Sequence, residues 1–549
     1  MKKIAVFSVI LSMFCLVGCE KDFLDRAPND ELTDETFWEN EEHLRLAANA
    51  LYANVKAKNT VDQENMGDNT LWPSTTQYQR IGSGNYNSDL NTLNTEWTTQ
   101  YRGIRQANSF LANYQKAEVD DPLVAERYAA EVRVIRALMY LYITEFWGDM
   151  PLVTEPLNID ELMIPRDPKE EVVDFVLNDL EDAAQYLPEE IPSGENLGRM
   201  NKGAALALKA RMALYNERYD VAEDAAKRVM DMGVYELYST GNPESDYYDL
   251  FTYEGKLANG NNKETIIARL SLEDEAMHNL SREIHVPDQV IRWNPTKSLV
   301  DSYLMADGLP IDKSPLYSVE TYEDVFENRD PRMTQTILEP GSEWGGRYDG
   351  RENNENPEIF EVPKFQSDGR GAVTLTGYYF TKYAEPSAVP TYNRDFNDIH
   401  LLRYAEVLLT YAEARFEQGV LSQEDLDISI NLLRERVAMQ PMVLADLESN
   451  GLDLREEIRR ERRVELALEG QRYFDIKRWK QGELLASDVK GTNVKWLPNP
   501  AMADNLRTDE NGFIIALTDR VFDPERHYLW PVPLPQLERN PDLVQNPGW

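Results

Sequence analysis

The sequence predicts a mainly α protein: tetratricopeptide-like helical hairpins forming a superhelical scaffold, with a loop-rich region of small β elements laid over it. Three observations predict this. Apolar residues recur at 3–4 spacing over 44–58, 97–115 and 122–147. Two stretches, 201–233 and 401–438, read as paired amphipathic helices with small residues where the partners would meet. Between them, about 240–395 is rich in Gly, Asn, Pro, Asp and aromatics, with only short strand-like runs such as 265–270 and 377–383.

The N-terminus comes first. Met1-Lys2-Lys3 precedes an apolar run from Ile4 to Val17 broken only by Ser8 and Ser12. That run is shorter than the roughly 20 residues a membrane-spanning helix needs. A positive start, a short apolar stretch and a small-residue junction describe a secretory signal peptide, expected over 1–18. Leu16-Val17-Gly18-Cys19 resembles a bacterial lipobox, which makes Cys19 the expected lipidated first residue of the mature chain. Cys15 and Cys19 are the only cysteines, so cleavage and acylation together leave no thiol for a disulfide. Residues 19–36 read as a polar tether, and its Glu20-Lys21-Asp22 resembles the charged tag that sends Bacteroidetes lipoproteins to the outer face of the outer membrane.

Past the tether, 37–549 reads as a single domain, because no linker divides it. Its helices fall mainly in 97–235 and 400–480, with loop-rich insertions at about 60–90 and 240–395. Pro122 suits the first turn of the helix over 122–147, and Pro168 opens the next, over 168–187. In 201–233 two helices flank a turn near Glu217-Arg218. Ala204, Ala207, Ala210, Ala213, Ala222, Ala225 and Ala226 let them approach closely. A hairpin of this kind cannot bury its apolar face alone, so several must stack.

Lys plus Arg total 57 against 96 Asp plus Glu, for a net charge of −39. Such a surface repels phosphate backbones and anionic headgroups, which excludes nucleic acid as a partner class. Hydrophobic residues at 42% nonetheless support a packed core rather than an acidic disordered chain.

Five stretches carry a family resemblance. They are YLMADGLPI (303–311), NRDPR (328–332), LLRYAEVLLTYAEAR (401–415), ERRVELALEGQRYFDIKRW (461–479) and YLWPVPLPQLERNPDLVQNPGW (528–549). Together with the lipobox they resemble the SusD/RagB family of nutrient-binding outer-membrane lipoproteins. The resemblance implies the SusD-like fold and a variable ligand face. It also implies a place on the cell surface, anchored in outer-membrane lipid, as the cap of a SusC-like TonB-dependent transporter to which oligosaccharide is delivered. Peptide is the alternative cargo that the family allows. The proline-spaced tail, which could pass for a polyproline ligand, is then expected to pack on the body.

Two other readings come from outside the family: a glycoside hydrolase and a repeat scaffold for protein partners. Glu461, Glu465 and Glu469 fall at i, i+4 and i+8, about 6 Å apart on a helix, close to the ~5–5.5 Å of a retaining glycosidase pair. Arg462, Arg463 and Arg472 crowd the same segment, however, and ion pairing accounts for the glutamates without catalysis. The histidines His43, His278, His285, His400 and His527 match no zinc pattern, and Thr508-Asp509-Glu510-Asn511-Gly512 lacks a full calcium-ligand series. No metal, cofactor or catalytic residue is expected.

Binding residues are sought among loop aromatics. Sugar recognition needs a flat apolar face for ring C–H groups, with carboxylate, amide or guanidinium groups for the hydroxyls. Trp38, Trp97, Trp147, Trp479, Trp530 and Trp549 fall in scaffold segments; Trp72, Trp293, Trp344 and Trp496 fall in loops. The stretch 64–86 offers Trp72 with Asp68, Tyr78, Arg80 and Tyr86, and 341–350 offers Trp344 with Arg347 and Tyr348. Trp293, Arg370 and Tyr392 complete the expected ligand-binding set.

Overall fold

The computed structural model describes residues 37–73, 76–285, 291–344, 358–365 and 372–549. The expected signal peptide, tether and lipidated Cys19 lie outside the described residues. So do Arg347, Tyr348 and Arg370.

Helices dominate the first half. α1 (Glu41–Leu51) begins three residues earlier than the apolar pattern suggested, because the Asn40 side chain accepts a hydrogen bond from the His43 amide and two glutamates fill the first turn. A six-residue helix, α2 (Gln77–Gly82), interrupts the first loop insertion. α3 (Asn91–Asn113) starts six residues before the predicted 97. Its opening turns, NTLNTE, are polar enough to read as loop, but Leu93 and Glu96 are buried.

α4 (Pro122–Trp147) matches its predicted bounds, with Pro122 in the first turn and the Asp121 side chain capping the Leu123 amide. α5 (Lys169–Tyr186), α6 (Lys202–Tyr215) and α7 (Tyr219–Asp231) follow, each packed on its predecessor. Glu217, with φ at 58°, makes the predicted turn between α6 and α7. The alanines meant to permit close approach are all buried, and Gly203 of α6 lies so near Tyr235 that a Cβ there would fall 2.3 Å from its ring.

Four two-stranded antiparallel sheets are found among the described residues. β1 (Thr70–Leu71) pairs with β3 (Asn294–Pro295), and β2 (Thr265–Arg269) with β6 (Ile399–Arg403). β4 (Glu343–Trp344) pairs with β5 (Glu358–Ile359), and β7 (Val489–Asn493) with β8 (Phe513–Leu517). The strand expected over 377–383 is replaced by a single bridge from Phe380 to Ile337. Gly377 and Tyr383 both have positive φ, which breaks the extended run at each end.

The second helical hairpin is less regular than its sequence suggests. α8 (Tyr404–Glu417) is continuous, but the partner stretch splits at Ser429 and continues as α9 (Ile430–Arg436). α10 (Leu454–Glu465) and α11 (Arg472–Arg478) are separated by a break in which Leu468 and Gly470 both have positive φ. Glu461 and Glu465 therefore share a helix, but Glu469 does not.

Two apolar cores result. One joins the helices α1–α11, and the other, rich in Tyr, Phe and Trp, fills the loop-rich region. The tail packs on the first: Trp530 stacks on Phe146 with centroids 3.8 Å apart, and the Trp147 indole donates to the Pro531 carbonyl. Burying one such Trp is worth several kcal/mol at about 25 cal/mol/Å². The tail is structural, as expected.

A fully buried ion network ties the cores together. Arg403 bridges Glu264, Glu465 and Glu469 at 2.6–2.8 Å. Arg436 meets Glu264 and Glu465, Arg332 meets Asp330, Glu461 and Glu465, and Lys382 meets Glu469. The three glutamates are thus structural, but their partners come from distant segments and not from Arg462, Arg463 and Arg472. Arg462 pairs with Asp475, and Arg463 and Arg472 hold Asp68.

Candidate functional site

The site is built on the shortest sheet. The β1–β3 register sets Leu71 opposite Asn294, so the next residues outward, Trp72 and Trp293, face one another across the ladder. Asn294 secures the end by donating from Nδ2 to the Leu71 carbonyl at 3.0 Å. Trp293 is fully buried, and Trp72 packs edge-on against it while remaining half-buried. One indole is the base; the other lines a cleft, with the Arg292 guanidinium 5.8 Å from its ring centroid.

Trp72 lines a cleft of about 190 Å³ together with Arg80, Ser83, Asn85, Thr518 and Asp519. α2 forms one wall. The Gln79 side chain accepts from the Trp72 amide at 3.0 Å and so fixes the tryptophan to that helix. The segment after β8 forms the other wall, which Asn85 joins by donating to the Asp519 carbonyl at 3.1 Å. Gly84, with φ at 70°, lets the walls meet: a Cβ there would fall 1.9 Å from the Val521 carbonyl oxygen. Arg80 is exposed at the rim. The cleft therefore combines one aromatic face with guanidinium, amide, hydroxyl and carboxylate groups, a set suited to the C–H face and hydroxyls of a sugar.

Not all expected residues gather here. Trp344 is only 6% exposed and packs against Phe360 and Tyr379, so it plugs the aromatic core and offers no face. Trp293 supports the site without reaching it. Asp68 is buried; burial works to raise its carboxyl pKa, but Arg463 and Arg472 outweigh this and hold it well below the usual carboxylate range. It is an ion-pair residue and not a ligand for hydroxyls. Tyr78 donates to Glu96 at 2.7 Å and faces a different cleft. Tyr86 is buried against Trp549. Tyr392 is 67% exposed and lies outside the cleft lining.

The wall at 516–519 was not anticipated, because its Thr and Asp carry no motif and lie far away in sequence. The nearby 508–512 stretch is a turn: the Asp509 carboxylate accepts from the Asn511 and Phe513 amides and pairs with Lys490. No group of three or more His, Cys, Asp or Glu arranged to hold a metal occurs among the described residues. Nor is any helix among them long and apolar enough to cross a membrane.

Residues 272–549 match the model of a family described as the SusD family, and residues 22–214 match one described as starch-binding, associating with the outer membrane. A SusD-like protein of Formosa agariphila, P2, is 25% identical over the full length of both chains. A crystal structure of a SusD-like protein from Bacteroides fragilis superimposes with a TM-score of 0.77 at 27% identity, covering 95% of this chain and all of its own. A SusD-like carbohydrate-binding protein from the same species superimposes with a TM-score of 0.78 at 25% identity, covering 93% of this chain and all of its own.

Proposed function

Since this chain belongs to the SusD family of carbohydrate-binding proteins, we propose that it is a lipid-anchored receptor on the outer face of the outer membrane. In this reading it binds an oligosaccharide at the Trp72 cleft and delivers it to a SusC-like TonB-dependent transporter that it caps. It performs no chemistry of its own. The observation that carries the reading is the Trp72 face, backed by a buried indole and rimmed by Arg80, Asn85 and Asp519. The carbohydrate-binding relative of known structure and the starch-binding family description support the ligand class.

The size of the cleft sets the strength of binding. At about 190 Å³ it is smaller than the ~300–1,000 Å³ of typical small-molecule sites, so it grips part of a chain and does not enclose one. A tryptophan face covering about 100 Å² of sugar contributes roughly 2.5 kcal/mol gross, against association costs of at least ~4 kcal/mol. Hydrogen bonds supply the rest, and the lone protein binds in the high-micromolar to millimolar range. Tight capture then needs the transporter to close the open side.

Affinity electrophoresis of the purified protein in gels cast with α-glucan, β-glucan, xylan and mannan tests this. Retardation by at least one polysaccharide, unaffected by a peptide digest, is the expected result. No retardation in any gel, with binding to the peptide digest instead, would transfer the assignment to peptide import.

A further inference from the structure

The other face of α2 opens onto a second and larger cleft. It is a groove of about 460 Å³, and a further cleft of about 320 Å³ shares Val55 and Arg269 with it. The helix divides its residues between the clefts, with Gln79 and Arg80 on the Trp72 side and Gln77 and Tyr78 on this one.

The floor is charged but internally neutralised. Lys56 donates to both Glu96 oxygens at 2.6 and 2.7 Å, and Tyr78 and Gln100 add further hydrogen bonds. Burial works to raise the Glu96 pKa, but Lys56 outweighs it and keeps the carboxylate ionised. The Lys56–Glu96 pair therefore leaves no net charge on the floor itself, while Arg269, which lines both clefts, donates to the Tyr52 carbonyl at 2.7 Å. The walls carry the amides of Asn54, Asn59 and Gln77 and the hydroxyls of Thr92, Thr95 and Thr99, beside the small apolar side chains of Ala53, Val55 and Ala57. Gln100 lines the cleft and is 1% exposed, and its Oε1 has no hydrogen-bond partner among the described residues. A buried acceptor left unpaired costs about 1–3 kcal/mol, and a ligand hydroxyl would satisfy it.

We propose that this groove is a second oligosaccharide site, independent of Trp72, that binds an uncharged chain by hydrogen bonds to amides and hydroxyls. The proposal rests on the oligosaccharide reading of the protein. It would explain why 91–96 is polar although it is helical: these turns line a binding groove.

Saturation-transfer NMR with maltohexaose, cellohexaose, laminarihexaose and xylohexaose tests it, comparing the wild type with Trp72→Ala, Thr95→Trp and the double variant. Thr95 is exposed, so the larger ring fills the groove without entering the core. At least one hexasaccharide should still be saturated by Trp72→Ala, and adding Thr95→Trp should cut that residual signal about fivefold or more, as expected for the loss of a hydrogen-bonded site. Thr95→Arg, of different shape, should act alike, and the melting temperature verifies folding of each variant. If Trp72→Ala alone abolishes transfer from every hexasaccharide the wild type binds, the second site falls while the first stands. Residual transfer unaffected by both Thr95 variants also overturns it. Absence of wild-type binding to all four overturns the second site, and absence of retardation in every polysaccharide gel as well sinks the oligosaccharide reading with it.

Discussion

The indole of Trp72 stands edge-on to that of Trp293, with centroids 5.1 Å apart and planes at 71°. The two tryptophans divide support from contact, so their variants should separate stability from binding. Trp72→Ala should weaken oligosaccharide binding by about 2 kcal/mol, roughly thirtyfold, with a small change in melting temperature. Trp293→Ala leaves a core cavity and should cost about 3–5 kcal/mol of stability. Affinity electrophoresis and calorimetry on both variants read the two effects. Equal binding by wild type and Trp72→Ala would remove the cleft from consideration.

Gly84 joins the walls of the cleft. A side chain there must adopt φ near 70° and displace the Val521 carbonyl, disturbing the residue whose amide donates to the Ser83 carbonyl at 2.9 Å and ties down the segment after β8. Gly84→Ala should therefore cost about 2–4 kcal/mol in urea unfolding and weaken sugar binding by opening the far wall. A variant as stable as the wild type would show that the walls are not coupled through this contact.

The ion network offers a third test. Removing one partner strands the others in the core, at a typical cost of about 3–5 kcal/mol. Arg403→Met should show a loss of that order, because Glu264, Glu465 and Glu469 all face its guanidinium and none is exposed beyond 6%. The exposed Arg45–Glu42 pair is the control, and Arg45→Ala should leave the melting temperature unchanged. Equal behaviour of the two variants would contradict the structural role given to the network.

The legibility of the sequence follows the range of the interactions involved. α4, α6 and α7 were readable to within a residue or two, because caps, prolines and alanine spacing are local signals. Assigning Glu461 and Glu465 to ion pairing was also sound, but their partners were not readable, since Arg332, Arg403 and Arg436 arrive from separate segments. The site shows the same division. Trp72 and Arg80 were visible as a loop aromatic beside a cation. The Asp519 wall depends on tertiary contact, and Trp344 looked like a platform because sequence does not reveal that Phe360 and Tyr379 cover it. The polar start of α3 was missed because its surface residues line a groove and so lack the amphipathic pattern.

Burial pushes His285 and His400 down to about 4 from the ordinary 6.5. Burial is what holds each ring neutral: the His285 Nε2 donates to the Phe380 carbonyl at 2.9 Å, which works weakly the other way, and the His400 Nδ1 lies 2.9 Å from the Thr265 hydroxyl. A group whose pKa is depressed by folding favours the native state above its unfolded value, and that advantage fades as pH falls through the folded one. Stability should therefore decline from about pH 6.5 to pH 4, by about 3 kcal/mol per histidine. The buried carboxylates act lower: Glu469, raised by burial but pulled down further by Arg403 and Lys382, sits at about 2, so its contribution is lost only below the usual carboxylate range. Denaturant unfolding at half-unit intervals should resolve the two windows. In the double variant His285→Gln, His400→Gln the upper decline should flatten while the lower one persists. A wild-type profile that is level between pH 7 and 4 would show that these imidazoles do not govern acid sensitivity.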